Sequence, residues 1–542
     1  MASQVPKWMQ ELYDCSWVAS EAFTEERHGL TVVTSFSPAV LDRIVVVRQE
    51  YLQLWDHLRE AHEGKRRGGL VLTGHPGTGK SSFLRYAFTR AMHEKIPVAY
   101  CTSPDGYFYC DENGCARYPL AGPMTLHHMG EGKFFLALVD SSFTPVTPPV
   151  TFLDRYQRCY TVQETPLDPA RWHGLAKERE AEFWILPFWT EDEVRKLQQC
   201  YEDDGPHPWT DRDGYYSPLD VFHLLGPSVR QCFFEGGNRK TPLGPAIDFQ
   251  RHLDPDAFLD NLDAVITAVH RSMDAASPEH PDLYRLLFAY KRHDLTNPIR
   301  YPVLCYNIPT LHLSRVLLAT FRQRTDDEQV ALIAKLAKLP QVMSFVYEPI
   351  ILDVLSSPDV PAAVACHLAD GSTFTLGPGL VLAGDQVTAG ASIVPRDNHI
   401  YFLRNGLPWL SAVVISEDQT RVTILHTTVA YRRKVVSSAV SAVIKLLRRS
   451  MPNTSLAVTK WTLIFVSPGA SGEQMAKKMV KVKFRNREQH PAVAAGWLEI
   501  GAHLSESYPE KVLDELKRRD AVHLDEVVDD DPEPDMDEDP PA

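Results

Sequence analysis

One octapeptide limits this chain more than any other stretch. Gly74-His75-Pro76-Gly77-Thr78-Gly79-Lys80-Ser81 reads G-x-x-x-x-G-K-S, followed by Ser82. The apolar run Leu70, Val71, Leu72 precedes it, and a helix-compatible segment to about His93 follows. Strand, glycine-rich turn and helix form the setting in which this pattern cradles phosphate. The glycines let the backbone turn so that successive N–H groups point into one concavity, and a helix N-terminus adds its positive end. Lys80 would reach the β- and γ-phosphates, and the Ser81 hydroxyl would bind Mg²⁺. The alternative is a glycine-rich turn that matches by chance, against which stand all the fixed positions and both flanks.

A second signal lies downstream. Phe134-Phe-Leu-Ala-Leu-Val-Asp140 is an apolar strand ending in a carboxylate, the place where such folds hold the other contact to Mg²⁺. Many ATPases put a water-activating glutamate directly after this aspartate; here Ser141 and then Ser142 follow. Fast hydrolysis therefore requires a base from elsewhere. Arg158 to Thr165 reads as another strand, and Gln163, Glu164 or Thr165 at its end either senses a γ-phosphate or simply ends the strand. Leu225-Gly226-Pro227-Ser228-Val229-Arg230 suits a lid that drops a cation onto bound phosphates, or a surface arginine at a helix start.

The chain has 542 residues and 44% apolar residues, enough for packed cores in about three or four domains. Its net charge is −14, which argues against a wholly basic, nucleic-acid-coating surface. From Asp525 to Ala542 there are ten acidic residues, four prolines and no basic residue, a composition expected to be disordered. Nine cysteines are scattered without a C-x-x-C, which suggests free thiols in a reducing compartment. No signal peptide and no run of roughly 18–20 apolar residues is present. The expectation is an intracellular protein, cytoplasmic or nuclear, with no membrane contact.

The organisation expected in chain order is as follows. Residues 1–65 form an N-terminal helical adaptor, with a helix over Leu41–His62. Residues 66–187 form the P-loop NTPase core, with a hairpin across Asp111-Glu-Asn-Gly114 flanked by Cys110 and Cys115. Those cysteines, with His127 and His128, fit zinc spacing poorly and read as a hairpin pair. Residues 188–300 form a helical lid, with an N-cap at Trp189-Thr190-Glu-Asp-Glu193 and a helix start at Asp254-Pro255. Residues 301–340 are a helical connector with helices at Leu311–Arg322 and Glu328–Leu339. Residues 341–505 form a second α/β domain. It has helices at Phe345–Leu355 and Ser437–Arg449 and a hairpin across Asp370-Gly371. Its strands are Ile400–Leu403, Ala412–Ser416, Arg421–Leu425 and a final one at Trp461–Val466. Residues 506–542 are a C-terminal segment with the acidic tail. Basic residues at 432–449 and 477–487, Lys477, Lys478, Lys481, Lys483, Arg485 and Arg487 among them, form either a nucleic-acid patch or a solvated face.

The ordered set Gly74–Ser81, Asp140-Ser141-Ser142, Pro187-Phe-Trp-Thr-Glu-Asp-Glu193, Gly226-Pro-Ser-Val-Arg230, Phe345-Val-Tyr-Glu348-Pro and Leu425-His-Thr-Thr428 resembles a large fungal group. That group is related to Crinkler effectors and retrotransposon hot spot proteins. It joins a P-loop ATPase of the AAA/STAND kind to a restriction-endonuclease-like domain of the PD-(D/E)XK type. The resemblance covers roughly residues 15–470 and is looser beyond 340. It implies that Lys80, Ser81 and Asp140 bind MgATP, that Arg230 is a lid arginine, and that Glu348 is the first-helix metal glutamate of the nuclease-like domain. Two departures stand out. Ser411 falls where a metal-binding aspartate belongs, and His426 falls on the glutamine of a Q-x-T element, leaving Thr428. A phosphodiesterase needs clustered carboxylates around Mg²⁺, so a degenerate nuclease used for binding is expected. The N-terminal translocation segment of Crinkler effectors is missing too, so secretion is not implied.

The fold class expected is α/β: a parallel P-loop sheet with a helical lid, then a restriction-endonuclease-like α/β domain. The function expected is ATP binding with slow hydrolysis, working as a nucleotide-dependent switch, with protein partners or self-association. An ATP-gated DNA nuclease and a non-hydrolysing ATP-binding interaction protein are the alternatives.

Overall fold

Apolar strands bounded by turns, alternating with amphipathic helices, dictate a layered α/β architecture here. A computed structural model of the chain describes residues 5–20, 24–33, 45–103, 105–119, 133–141, 150–166, 169–203, 216–235, 288–291, 297–300 and 304–336. Beyond these it describes 347–348, 350–351, 354–355, 364–376, 381–387, 399–403, 412–415, 421–427, 443–444, 447, 460–467, 471–479, 493–499 and 508–525. The fold is mixed α/β in two units, one running to Val316 and one starting at Leu317.

The first unit opens with α1 (Lys7–Tyr13), a π-helical turn (Asp14–Val18), and strands β1 (Thr24–Arg27), β2 (Leu30–Val33) and β3 (Val45–Val47). Then come α2 (Gln49–Glu63), β4 (Gly68–Thr73), α3 (Lys80–His93), β5 (Val98–Ser103), β6 (Gly106–Asp111), β7 (Gly114–Pro119) and β8 (Phe135–Asp140). α4 (Val150–Leu153), β9 (Cys159–Glu164), α5 (Pro169–Arg179), β10 (Glu182–Ile185), α6 (Glu191–Asp203) and α7 (Pro218–Leu225) follow. A second π-helical turn (Arg230–Glu235) and strands β11 (Phe288–Lys291) and β12 (Leu304–Asn307) complete it.

Seven of these strands form one sheet in the order β10-β4-β9-β8-β5-β6-β7. It is parallel from β10 to β5 and antiparallel across β6 and β7. Every residue of β8 and β9 is buried, as expected for central parallel strands covered on both faces. Strand alternation divides the core. Leu70, Leu72, Leu136, Leu138, Tyr160 and Val162 pack with α2 and α3 on one face. On the other, Phe135, Ala137, Val139 and Cys159 form one cluster, and Val71 packs with Leu175 of α5 in another.

α8 (Leu311–Gln323) crosses the boundary between the units. The second unit continues with α9 (Asp326–Leu336), β13 (Val364–Leu368), β14 (Thr373–Leu376), β15 (Val381–Val387), β16 (His399–Leu403), β17 (Ala412–Ile415) and β18 (Arg421–Thr427). β19 (Lys460–Ser467), α10 (Ser471–Met479), β20 (Val493–Glu499) and α11 (Glu510–Asp525) follow. Its eight-stranded mixed sheet runs β14-β13-β20-β19-β18-β17-β16-β15, with β18, β19 and β20 parallel to one another. α10 packs on β19 and β20, and α11 packs on α9.

Several expectations change. The helix expected from Leu41 begins only at Gln49, because Val45–Val47 pair antiparallel with β2. The N-terminal segment is thus a three-stranded sheet with helices rather than a helical adaptor. The 188–300 segment is not purely helical: β11 lies in it and pairs with β12. Trp461–Val466 is not the last strand, since β20 pairs parallel with β19. A further strand lies at Val381–Val387, and the C-terminal segment carries α11. The hairpin lies where the sequence puts it, with Cys110 and Cys115 as cross-strand partners joined in a disulfide, so these two are not free thiols. The helix at Asp254-Pro255, residues 526–542 and the pair His127 and His128 lie outside the described residues. Among the described residues, no helix is long and apolar enough to cross a membrane.

Leu138 is fully buried on the α3 face. Leu138→Ala should destabilise the first unit by about 3 kcal/mol, through lost transfer energy plus a cavity. A lower urea midpoint with an unchanged slope would show it.

Candidate functional site

The loop from Gly74 to Gly79 joins β4 to α3 at the carboxyl edge of the parallel strands. Gly77 (φ 84°) and Gly79 (φ 98°) adopt left-handed backbone, which other residues enter at a cost. The neighbours close in as well. A methyl group on Gly79 would strike the Tyr51 hydroxyl, and one on Gly77 would strike Ser228 Oγ and lie 3.0 Å from Arg230 Cβ.

Lys80 begins α3 and is 7% exposed. Its Nζ donates to the carbonyls of Gly74 (3.1 Å) and His75 (3.2 Å), folding the side chain back over its own loop. Ser81 and Ser82 follow in the first turn, half-buried. Thr78 is buried and its hydroxyl donates to His75 O at 2.9 Å. His75 is buried against Phe288 of β11, ring centroids 4.1 Å apart, and Phe188 stacks on the same phenylalanine. Ser228 Oγ donates to Pro76 O at 3.2 Å. The Gly226–Arg230 segment therefore does sit on the loop, with Arg230 beginning the π-helical turn rather than an α-helix.

Asp140 ends β8 and Glu164 ends β9, and the two are paired in register. Both follow the parity of Leu136, Leu138, Tyr160 and Val162, so both belong to the α3 face. Glu164 is 3% exposed, its Oε1 lies 3.9 Å from Lys80 Nζ, and its Oε2 has no hydrogen-bond partner. Burial pushes the Glu164 carboxyl up to about 8, against the pull of Lys80. Asp140 adds to the rise by like charge and by accepting a hydrogen bond from the protonated Glu164. Burial likewise lowers Lys80, with Arg230 adding to the fall and Glu164 opposing it. Three buried groups, Lys80, Asp140 and Glu164, and the exposed Arg230 thus influence one another around the loop.

Gln163 and Ser141 belong to the opposite face. Gln163 Nε2 donates to Ser141 Oγ and to Arg171 O, both at 2.9 Å. Of the three strand-end residues considered from the sequence, Glu164 is the one directed at the loop. Thr165 follows the strand, buried, its hydroxyl without a partner.

Three residues at the back of the loop lie outside the glycine-rich motif. Arg48, 2% exposed, precedes α2 and donates to Thr78 O (3.3 Å), Pro187 O (2.9 Å) and Phe188 O (2.7 Å). It pairs with Glu193 at 2.9 Å and lies 4.9 Å from the Trp189 ring. Trp189 Nε1 donates to Thr78 O at 3.2 Å, and Tyr51 donates to Gly79 O at 2.5 Å. Glu193 also closes the capping box on Thr190, the one part of this arrangement legible as a pattern.

Oxygen donors on Ser81, Asp140 and Glu164, next to a cationic loop, suit a small hard cation that keeps some ligands from phosphate or water. The unpartnered Glu164 Oε2 is the observation that fits such a group.

In the second unit, Glu348 is 7% exposed in a helix beside Tyr347. His426 is buried on β18, while Leu410, Ser411 and Thr428 lie outside the described residues. Among the described residues, no group of three or more His, Cys, Asp or Glu side chains could hold a metal. Of the basic segments, Lys477 is described with its side chain, paired to Glu473 at 2.6 Å on α10; residues 432–434, 448–449 and 481–487 are outside. In comparisons with protein-family models and with curated proteins, nothing matches the chain.

Two outcomes follow. Arg48→Met should lower stability by about 3 kcal/mol, because it removes the cation from Glu193 and the donor from the Pro187 and Phe188 carbonyls; denaturant titration checks it. Glu164 has a folded value raised above its unfolded one, so its stabilising share is full at low pH and is lost as pH rises towards about 8. Thermal midpoints of the wild type should therefore fall relative to Glu164→Gln between about pH 5 and pH 8.

Proposed function

We propose that the first unit is a P-loop nucleotide-binding domain that holds MgATP and hydrolyses it slowly, switching conformation with nucleotide state. The observation that carries this reading is the meeting of Lys80, Asp140, Glu164 and Arg230 around the Gly74–Ser81 turn. Strand order supports it: the strand before the loop is separated from the Asp140 strand by one further parallel strand. The crevice outside the carboxyl ends of parallel strands is where such sheets bind ligands.

In this reading the backbone N–H groups of Gly77 to Ser81 cradle the β- and γ-phosphates at the α3 N-terminus. Lys80 leaves the carbonyls of Gly74 and His75 and turns to the phosphates. Ser81 and Asp140 hold Mg²⁺, which when bound neutralises the developing charge on the phosphate oxygens. Arg230, carried by the segment whose Ser228 rests on Pro76, brings a second cation to the phosphates. A shift of that segment on nucleotide binding biases the unit towards one conformation.

For the second unit we propose a binding role in a nuclease-like fold. Support comes from the succession of a helix with Glu348, strands β16 to β18 paired antiparallel, helical residues 443, 444 and 447, and β19 parallel to β18. His426 at the position of an expected glutamine favours binding over cleavage.

Titration of the full chain with MgATP tests the nucleotide reading. At a free concentration 100 times the dissociation constant, the thermal transition should gain about 2.7 kcal/mol. Lys80→Ala should abolish the gain while leaving the unliganded protein folded. An unchanged transition with MgATP, or binding indifferent to Lys80→Ala, would overturn the proposal.

A further inference from the structure

A second concavity lies at the opposite edge of the first unit's parallel strands. It opens where β4 and β9 begin, beside the end of α5 and the start of β10, and encloses about 360 Å³. Six residues of β4 separate it from the Gly74–Ser81 turn, a span of about 20 Å. A ligand held there is therefore not the nucleotide on the turn. We infer that this cavity binds a small phosphorylated polyol, a sugar or inositol carrying two or more phosphate groups.

Charge points to the phosphates. The wall sets five cations, Arg66, Arg67, Arg155, Lys177 and Arg179, against three carboxylates, Glu178, Glu180 and Glu182. The carbonyl end of α5 offsets only about half a charge more, so a positive excess remains. Arg66 is committed to Glu182 at 2.8 Å and to the Tyr160 hydroxyl at 3.0 Å. Arg155 reaches Glu178 at 3.6 Å, an exposed pair that contributes little and leaves the guanidinium free to turn to a ligand. Arg179 is buried, and its guanidinium donates to the carbonyls of Phe152, Gln157 and Cys159. Among the described residues no carboxylate pairs with it, so its positive charge stands uncompensated by an acid. Among the same residues, the side chains of Arg67 and Lys177 have neither a hydrogen bond nor an ion pair.

The rest of the wall points to hydroxyl groups. The Glu180 carboxylate has no partner among the described residues either. A bare oligophosphate meets it as a like charge, whereas a polyol hydroxyl donates to it. A nucleoside finds no free ring to stack on. Tyr160 is the aromatic residue of the wall, it is buried, and the Arg66 guanidinium stands 5.2 Å from its ring centroid. Gly68 and Gly69 open β4 and leave that part of the wall without side chains. The volume is that of a site for a small molecule rather than for a polymer.

Calorimetric titration of the full-length protein with fructose bisphosphate and with inositol trisphosphate tests the assignment. Wild type and Lys80→Ala should bind at least one of these probes equally well. Arg67→Glu and Lys177→Glu, at exposed positions whose side chains have no partner to lose, should each weaken that binding about tenfold or more. Glu180→Ala should weaken the polyol probe and strengthen inorganic pyrophosphate. MgATP should not displace the probe from wild type, which reads the same point if Lys80→Ala does not fold. A folded wild type that binds neither probe overturns the assignment. So does binding that is lost in Lys80→Ala, or to MgATP, yet is indifferent to Arg67→Glu and Lys177→Glu, because the probe then sits on the glycine turn. Pyrophosphate binding to wild type as tightly as the polyol probe overturns the choice of a polyol. Co-sedimentation with phosphatidylcholine vesicles containing phosphatidylinositol bisphosphate, without binding of either free probe, overturns it in favour of a lipid surface.

Discussion

Register between parallel strands is the constraint from which the first unit's site follows. Backbone hydrogen bonds hold β4, β9 and β8 side by side, so Leu72, Glu164 and Asp140 end at one level. A slip of one residue would turn either carboxylate to the opposite face and leave a buried charge against α5 instead of α3. Full burial of both strands is what forbids the slip. The site thus inherits its geometry from the apolar residues that precede it, Leu136, Leu138, Tyr160 and Val162.

That geometry brings together charges that the core would otherwise reject. Desolvation drives both Lys80 and Glu164 towards their neutral forms, and the 3.9 Å separation relieves part of the penalty for each. Lys80 meanwhile satisfies two carbonyls of its own loop. A phosphate entering here would exchange existing hydrogen bonds for stronger charge-assisted ones rather than fill an empty hole. Such exchange favours ligands with several anionic oxygens over single weak anions.

The sequence makes some of this legible and hides the rest for physical reasons. Asp140 is readable because an apolar run ending in a carboxylate is a local pattern, and β8 has that form. Glu164 is readable only as one of three polar residues at a strand end. Choosing among them requires knowing which sheet face α3 covers, and that is a tertiary fact. Arg48 leaves no local trace, since its partners Thr78, Pro187, Phe188 and Glu193 are distant in the chain. Val45–Val47 mislead for the opposite reason. Placed directly before a true helix, Val47 falls at helical spacing from Tyr51 and Leu54, yet the three valines are β-branched and pair with β2. In the second unit, β20 escapes because Val493-Ala-Ala-Gly-Trp-Leu-Glu499 has weak alternation and a central glycine. Gly496 is required there because a methyl group would collide with His367 O of the neighbouring β13.

The carbonyls behind the glycine turn are held by side chains from outside the segment that contains the turn. Thr78 O accepts from Arg48 and Trp189, and Gly79 O accepts from Tyr51. Arg48 and Tyr51 lie before residue 66, and Trp189 lies after 187. A fragment trimmed to 66–187 would keep every glycine of the motif and lose all three of the groups that set the turn's curvature from behind. The motif and the smallest autonomous piece of chain able to present it are therefore different lengths, and the N-terminal sheet and helices belong to the second.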